Sequence, residues 1–257
     1  MIYETIALGT AKLTVYARDN SPEIDPARRY PAVLILPGGG YGMCSDREAE
    51  PVALPFLAAG CAAAVLRYSI APAQHPTQLH EAAAAMAYLR EHADAYHIDP
   101  ARIFVCGFSA GGHLAAMLGC LWHEIPQGDL ARPAGVILCY PVISGGAYAH
   151  RGSFENLTGG DTALTEALSM EKRVDERTVP AFIWTTADDG AVPAMNSILM
   201  AQALTAQGIS YALHIFPEGV HGLSMAEDLT APDGCTAMVN SQAARWFPLA
   251  VEWIRQF

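Results

Sequence analysis

The sequence has few basic residues. Only 15 lysines and arginines stand against 26 aspartates and glutamates, which gives a formal net charge of −11 at pH 7. An acidic surface repels nucleic-acid phosphates and anionic lipids, so neither nucleic acid nor a membrane is expected as a partner. The chain also lacks the run of ~20 apolar residues that a membrane span requires. Its 257 residues are 52% hydrophobic and only 16% charged, which is ample material for a large buried core.

Motifs of nucleotide and metal sites are missing as well. No Gly-Lys-Ser or Gly-Lys-Thr occurs, which excludes a P-loop, and Met43 stands where a dinucleotide loop starting at Gly38 would have its third glycine. No His-x-x-x-His pair or cysteine cluster supports a catalytic metal. The six scattered cysteines favour buried, reduced thiols over disulfides or zinc ligands. We therefore expect no cofactor and no metal.

The first residues, MIYETIALGT, contain no basic start followed by an apolar block, as a secretory leader would. We therefore expect a cytoplasmic protein. The sequence leaves open whether the chain forms a homo-oligomer.

Short apolar runs alternate with longer segments rich in alanine and leucine. The runs are continuous rather than alternating, which indicates strands buried on both faces: Val33–Leu36, Ala62–Leu66, Ile103–Cys106, Val136–Tyr140, Ala181–Thr186 and Tyr211–Phe216. Leu13–Ala17 is predicted as an antiparallel strand at the sheet edge. The predicted helices are Glu48–Ala59, Thr77–Ala95, Ala110–Trp122, Pro193–Gln207 and Gln242–Arg255, the last kinked or shortened by Pro248.

This alternation predicts one α/β domain over residues 1–257, with a mostly parallel, doubly wound sheet and helices on both faces. The segment Ser144–Thr178 is glycine-rich and then charged, with little strand character. We expect it to form an excursion over the carboxyl edge of the sheet, where open α/β folds bind ligands.

Gly107-Phe108-Ser109-Ala110-Gly111 is the sharpest motif in the chain. This G-x-S-x-G directly follows a predicted strand and precedes a predicted apolar helix. A strand-to-helix turn of this kind forces the serine into a strained conformation and exposes its hydroxyl at the sheet edge. The motif therefore predicts Ser109 as a nucleophile.

A serine nucleophile needs a histidine base that a carboxylate orients, and in the hydrolase order both follow the serine. His221 lies in a glycine-flanked loop after a predicted strand and is the histidine in the right place and order. His113 is predicted to pack or bond locally, and His214 to lie in the core. Asp188 and Asp189 both follow the strand before that one, and their spacing alone does not separate them.

Hydrolysis of an ester or an amide also needs backbone N–H donors that stabilise the oxyanion formed in the transition state. The amide of Ala110, next after the nucleophile, is one expected donor. Another is expected from the loop after an earlier strand, and Gly38-Gly39-Gly40 supplies residues without side chains at that position.

Four segments together resemble the α/β-hydrolase esterases of the acetyl-xylan-esterase and feruloyl-esterase-like (BD-FAE-like) group. The similarity runs from about Ala32 to Leu223, although Pro37 replaces the histidine that more usually precedes the triple glycine. The segments that carry it are Pro37–Tyr41, Gly107–His113, Thr186–Pro193 and His214–Leu223.

The resemblance implies a role for each of these motifs. In this group the acid stands as D-x-x-V-P, which selects Asp189 over Asp188. Ser109 is then the nucleophile and His221 the base. The implied oxyanion hole consists of the amides of Gly39, Gly40 and Ala110.

The expected substrate is a small-molecule ester, with an acetylated sugar or xylo-oligosaccharide favoured because the chain has no room for a large lid. Four residues beside the motifs are candidates for the walls of the substrate pocket: Tyr41, Phe108, Tyr140 and Val192. The alternatives are a serine peptidase of the oligopeptidase type, a general short-chain carboxylesterase or lipase, and a non-catalytic protein with a hydrolase fold.

Overall fold

Eight strands form a single sheet in the computed structural model, which describes residues 1–257. The strand order is β1-β2-β4-β3-β5-β6-β7-β8. β1 pairs antiparallel with β2, and β2 pairs antiparallel with β4. All other neighbouring strands pair parallel. The strands are β1 (Ile2–Leu8), β2 (Ala11–Ala17), β3 (Tyr30–Leu36), β4 (Ala62–Arg67), β5 (Ile98–Phe108), β6 (Val136–Cys139), β7 (Ala181–Thr186) and β8 (Tyr211–Phe216).

Seven α-helices connect or follow these strands. None of them has both the length and the apolar character that crossing a bilayer would take. The helices are α1 (Glu50–Ala58), α2 (Thr77–Glu91), α3 (Ala110–Leu121), α4 (Arg151–Thr158), α5 (Thr162–Ala167), α6 (Met195–Ala206) and α7 (Trp246–Ile254).

The central strands consist mainly of apolar residues because each face of the sheet is covered. In β3, Leu34 and Leu36 pack into the core shared with α2, α3 and α6. Val33 and Ile35 point the other way, into the core shared with α1 and α7. Alternate side chains of a strand project to opposite faces, so a strand buried on both faces reads as a continuous apolar run. The predicted doubly wound α/β fold is confirmed.

Both edges of the sheet differ from the prediction. Ile2–Leu8 forms an additional strand, so Leu13–Ala17, predicted as the edge strand, lies second in the sheet. Polar residues interrupt the apolar run in β1, and each of its side chains is exposed or only partly buried. At the opposite edge, β8 is not buried on both faces as predicted, since Tyr211 and Ile215 are exposed.

The bounds of several helices also differ from the prediction. α7 begins at Trp246, so Pro248 lies in its first turn, where a backbone amide has no acceptor within the helix and proline is tolerated. The segment Ser144–Thr178 contains two short helices, α4 and α5. The side-chain amide of Asn156 in α4 donates a 2.9 Å hydrogen bond to the Gly40 carbonyl, which places α4 beside the loop after β3.

His113 is predicted to pack or bond locally, but both of its hydrogen-bond partners are distant in the sequence. It is fully buried in α3, where Nδ1 lies 2.8 Å from the Tyr41 hydroxyl and Nε2 lies 2.8 Å from the Leu168 carbonyl. A carbonyl only accepts, so Nε2 carries the proton and Nδ1 accepts from Tyr41. Burial lowers the pKa of His113 to about 4, which keeps the ring neutral.

We expect His113 to make the free energy of unfolding decrease as the pH is lowered below about 6.5. Between that value and the native pKa of about 4, the unfolded chain binds a proton that the folded chain does not. This one group should remove about 2 kcal/mol of stability between pH 7.5 and pH 5. Denaturant unfolding at the two pH values measures the difference, and His113→Gln should lack that component.

His80→Gln, at an exposed histidine, is the matched control and should keep the wild-type pH dependence. The same pH dependence in His113→Gln and the wild type would contradict a neutral, buried His113.

Candidate active site

Ser109 lies in the sharp turn between β5 and α3. Its backbone has φ +53° and ψ −115°, a strained conformation for a residue with a side chain. After this turn, the start of α3 lies close to the end of β3. Glycine at position 111 permits this approach, because a Cβ there would lie 2.1 Å from the Leu36 carbonyl oxygen. The hydroxyl is thereby held at the carboxyl edge of the sheet.

Two hydrogen bonds connect Ser109 to a histidine and a carboxylate. Ser109 Oγ lies 2.8 Å from Nε2 of His221, and Nδ1 of His221 lies 2.7 Å from Oδ2 of Asp189. Because a carboxylate accepts, Nδ1 carries the ring proton and Nε2 is left to accept from the serine hydroxyl. The three residues come from the ends of β5, β7 and β8, neighbouring regions of one sheet edge.

Asp188 and Asp189 have separate roles in the loop after β7. The second oxygen of Asp189 accepts from the amides of Ala191 and Val192, both at 2.9 Å, so this buried carboxylate is fixed in orientation. Asp188 does not contact the histidine. Its Oδ1 accepts a 2.7 Å bond from the Gly219 amide and so holds the loop that carries His221.

The loop after β3 presents free amides beside Ser109. Its carbonyls at positions 37 to 40 all accept hydrogen bonds from elsewhere in the chain, whereas the amides of Gly39 and Gly40 donate to no acceptor in the chain. Gly39 has φ +128°, and a Cβ there would lie 2.4 Å from the Met43 carbonyl. The amide of Ala110, the first in α3, has no acceptor within the helix. These three amides are the predicted oxyanion donors.

A cavity of about 320 Å³ opens at Ser109, and glycines and polar or charged residues make up most of its lining. Met43 is the one hydrophobic residue in it. The lining residues are Gly39, Gly40, Met43, Ser45, Arg47, Glu48, Ser109, His150, His221 and Gly222.

None of the four aromatic or apolar residues predicted as pocket walls lines this cavity, and each is at most 2% exposed: Tyr41, Phe108, Tyr140 and Val192. Side chains at the strand ends turn inward here. Tyr41 bonds to His113, and Phe108 packs against Tyr140 and Trp246. Tyr140 contacts His221 edge-on, with ring centroids 5.1 Å apart. The prediction of a substrate pocket walled by these residues is corrected accordingly.

The cavity instead contains residues that the sequence interpretation did not single out. Glu48, predicted as the first residue of a helix, lies in a 3₁₀ turn before α1, and its carboxyl is buried in the cavity wall. His150, which precedes the strands that carry Asp189 and His221, caps α4 through Nδ1. No pattern in the sequence distinguishes either residue from a solvent-facing one, since only the tertiary fold turns them inward.

His150 presents a hydrogen-bond donor to the cavity. The Ser153 amide donates to its Nδ1, so the ring proton is on Nε2, which bonds to no other group of the chain. Burial lowers the pKa of His150, and the positive charge that forms at a protonated His221 acts in the same direction. The imidazole is therefore a neutral N–H donor close to Ser109.

A larger cavity of about 670 Å³ lies at the amino ends of β3 and β4, between the loop at residues 18 to 30 and the end of α1. Its lining contains Ser21 but no histidine, so it has no base of the kind that His221 provides at Ser109. No group of three His, Cys, Asp or Glu side chains is arranged to hold a metal ion.

The strained serine turn on a mostly parallel eight-stranded sheet is the architecture of the α/β hydrolases. The BD-FAE family profile matches residues 21–129. A solved acetyl ester-xyloside bifunctional hydrolase from Caldicellulosiruptor lactoaceticus is 37% identical, with 96% of this chain and 88% of that one covered and a TM-score of 0.84. The chain belongs to the BD-FAE family.

Two curated relatives are longer proteins. Endo-1,4-beta-xylanase B from Butyrivibrio fibrisolvens is 38% identical over 208 residues, which are 76% of this chain and 33% of that protein. An acetylxylan esterase from Xylanibacter ruminicola is 30% identical over 223 residues, 83% of this chain and 44% of that protein. The chain thus spans between a third and a half of the length of these relatives.

The two neighbouring aspartates are expected to differ sharply in their effect on ester hydrolysis. Asp189→Asn should reduce kcat on nitrophenyl acetate about 10⁴-fold, because an amide favours the wrong histidine tautomer. Asp188→Asn, the matched control, should have a much smaller effect, because Asp188 contacts only a backbone amide. A larger loss in Asp188→Asn than in Asp189→Asn would show that the acid is misassigned.

Proposed function

We propose that this protein is a serine carboxylic-ester hydrolase that removes acetyl groups from acetylated sugars or xylo-oligosaccharides through an acyl-enzyme. The observation that carries the proposal is the hydrogen-bonded series from Ser109 through His221 to Asp189, with distances of 2.8 and 2.7 Å. The relatives named for acetyl ester and acetylxylan hydrolysis support the same class of substrate.

In the proposed mechanism, His221 accepts the proton of Ser109 as its Oγ attacks the ester carbonyl. Negative charge develops on the carbonyl oxygen, and the free amides of Gly39, Gly40 and Ala110 stabilise it. Each such donor typically contributes about 3–4 kcal/mol to lowering the barrier. The Asp189 carboxylate stabilises the imidazolium and holds its tautomer.

The tetrahedral intermediate collapses when the C–O bond to the alcohol breaks. His221 gives its proton to the departing alcohol oxygen, which leaves the acyl group on Ser109. Water then enters, His221 removes its proton, and the same sequence releases the carboxylic acid. Atoms and charge balance without a metal or a cofactor.

The character of the cavity supports a small acyl group on a polar alcohol. A volume of about 320 Å³ is near the lower end of small-molecule sites, and Met43 is the only hydrophobic residue in the wall. Met43 is then the only hydrophobic side chain in the cavity against which a long acyl chain could pack. Hydroxyl groups of a sugar can bond to His150 and Arg47.

The proposal is tested by the rate of hydrolysis across an ester panel. Nitrophenyl acetate, butyrate and octanoate would be compared with acetylated xylose, using wild type and Ser109→Ala. We expect acetate to be hydrolysed faster than octanoate and acetylated xylose to be deacetylated. Ser109→Ala should lower kcat about 10⁶-fold.

The outcomes separate the alternatives. A preference for octanoate would exclude the sugar deacetylase while leaving the esterase, and peptide hydrolysis without ester hydrolysis would indicate an oligopeptidase. Undiminished activity in Ser109→Ala would refute the serine mechanism altogether.

A further inference from the structure

Glu48 is a buried carboxyl group that the mechanism above does not use. It is 3% exposed and lies in the cavity wall with Ser109 and His221. Removing a carboxylate from water is costly unless hydrogen bonds compensate it. A buried acid at this position therefore needs partners, and its partners indicate what it does.

Both oxygens of the Glu48 carboxyl accept a hydrogen bond from a group of the site. Oε1 accepts from the Tyr140 hydroxyl at 2.6 Å, and Oε2 accepts from the Gly38 amide at 2.7 Å. An amide N–H can only donate, and the Tyr140 oxygen itself accepts from the Ser224 amide at 2.9 Å. The hydroxyl proton is therefore directed at Glu48, and the carboxyl needs no proton to satisfy either contact.

The two partners belong to different halves of the site. Gly38 begins the loop that carries the free amides of Gly39 and Gly40. Tyr140 supports the base, because its ring lies edge-on to His221 at 5.1 Å and 72°, and its oxygen anchors Ser224 just beyond that histidine. One carboxylate thus connects the oxyanion loop to the histidine loop.

The backbone of Tyr140 shows that this position is imposed by its surroundings. Its φ of +37° is unfavourable for a bulky residue, and it is retained together with a 2.6 Å bond from the Tyr140 amide to the Trp184 carbonyl. The hydrogen bond from the Tyr140 hydroxyl to Glu48 helps to keep the Tyr140 ring in contact with His221.

We propose that Glu48 is a positioning residue of the esterase site, whose carboxylate aligns the Gly38–Gly40 loop and the Tyr140–His221 contact with Ser109 and faces the imidazolium as a second negative charge. The inference rests on the proposed function, since it takes His221 as the base.

Three other groups around His221 set its charge environment. Asp189 is hydrogen-bonded to Nδ1, and His150 is the neutral ring in the same cavity. Arg47 bonds to the Gly222 carbonyl at 2.8 Å and brings a positive charge to the same loop. Burial raises the pKa of Glu48, while the bonds from Tyr140 and Gly38 and the charges of Arg47 and His221 oppose that rise.

The test compares Glu48→Gln with wild type on nitrophenyl acetate over a range of pH. Glutamine has the same size but offers one acceptor and no charge. We expect kcat to fall about 10–100-fold with little change in KM, because small displacements of reacting groups have effects of this size. The acidic limb of the kcat profile should move to lower pH, since a lost negative charge disfavours the protonated histidine.

Glu50→Gln is the matched control, because it makes the same substitution two residues away. Glu50 accepts a 2.9 Å bond from the Tyr16 hydroxyl and does not line the cavity. This variant should keep the wild-type kcat and pH profile.

Tyr140→Phe supplies a second, independent test that remains usable if Glu48→Gln does not fold. The ring and the charge of Glu48 are retained and only the connecting hydroxyl is lost, so kcat should fall about tenfold while the acidic limb stays in place.

A kcat within twofold of wild type in folded Glu48→Gln or in Tyr140→Phe would overturn the positioning role of Glu48. So would an acidic limb that does not move in folded Glu48→Gln. Failure of the proposed function is distinguished by Ser109→Ala, which would then remain active whatever Glu48 does.

Discussion

The close approach of α3 to the end of β3 determines where the Ser109 hydroxyl lies. A Cβ on Gly111 would come within 2.1 Å of the Leu36 carbonyl oxygen and 2.5 Å of the Pro37 carbonyl oxygen, so no residue but glycine permits this contact without a shift of the backbone. The same contact sets the first amide of α3 beside the loop that begins at Pro37. The position of the Ser109 hydroxyl and of both sources of free amides therefore depends on a single backbone approach.

The parallel sheet supplies the remaining geometry. Loops that leave the carboxyl ends of β3, β5, β7 and β8 lie along one edge. Their residues meet although they are up to 191 positions apart in the chain, as Arg47 and Met238 are. Within this edge the two buried carboxylates of the site are paired. Asp189 uses one oxygen for His221 and the other for two amides, and Glu48 spans the two loops on either side of Ser109. Paired groups of this kind hold a site in place before substrate binds.

The parts of the structure that depend on local sequence were predictable. The turn at Ser109 needs small residues at fixed offsets, so the G-x-S-x-G motif predicted it. A strand covered on both faces needs a continuous apolar run, so these runs predicted the central strands. The edge strand β1 carried no such signal because its side chains are mostly exposed. The cavity wall could not be predicted, because the burial of Glu48 and the inward turn of Tyr41 arise from contacts between distant segments.

The central claim is that His221 activates Ser109 as a nucleophile, and covalent labelling tests it most directly. Folded protein would be treated with a fluorophosphonate, and the rate and position of labelling would be followed by mass spectrometry. The account predicts one label per chain, on Ser109, no label in Ser109→Ala, and greatly slowed labelling in folded His221→Ala. Labelling at another residue, or an unchanged rate in His221→Ala, would contradict it.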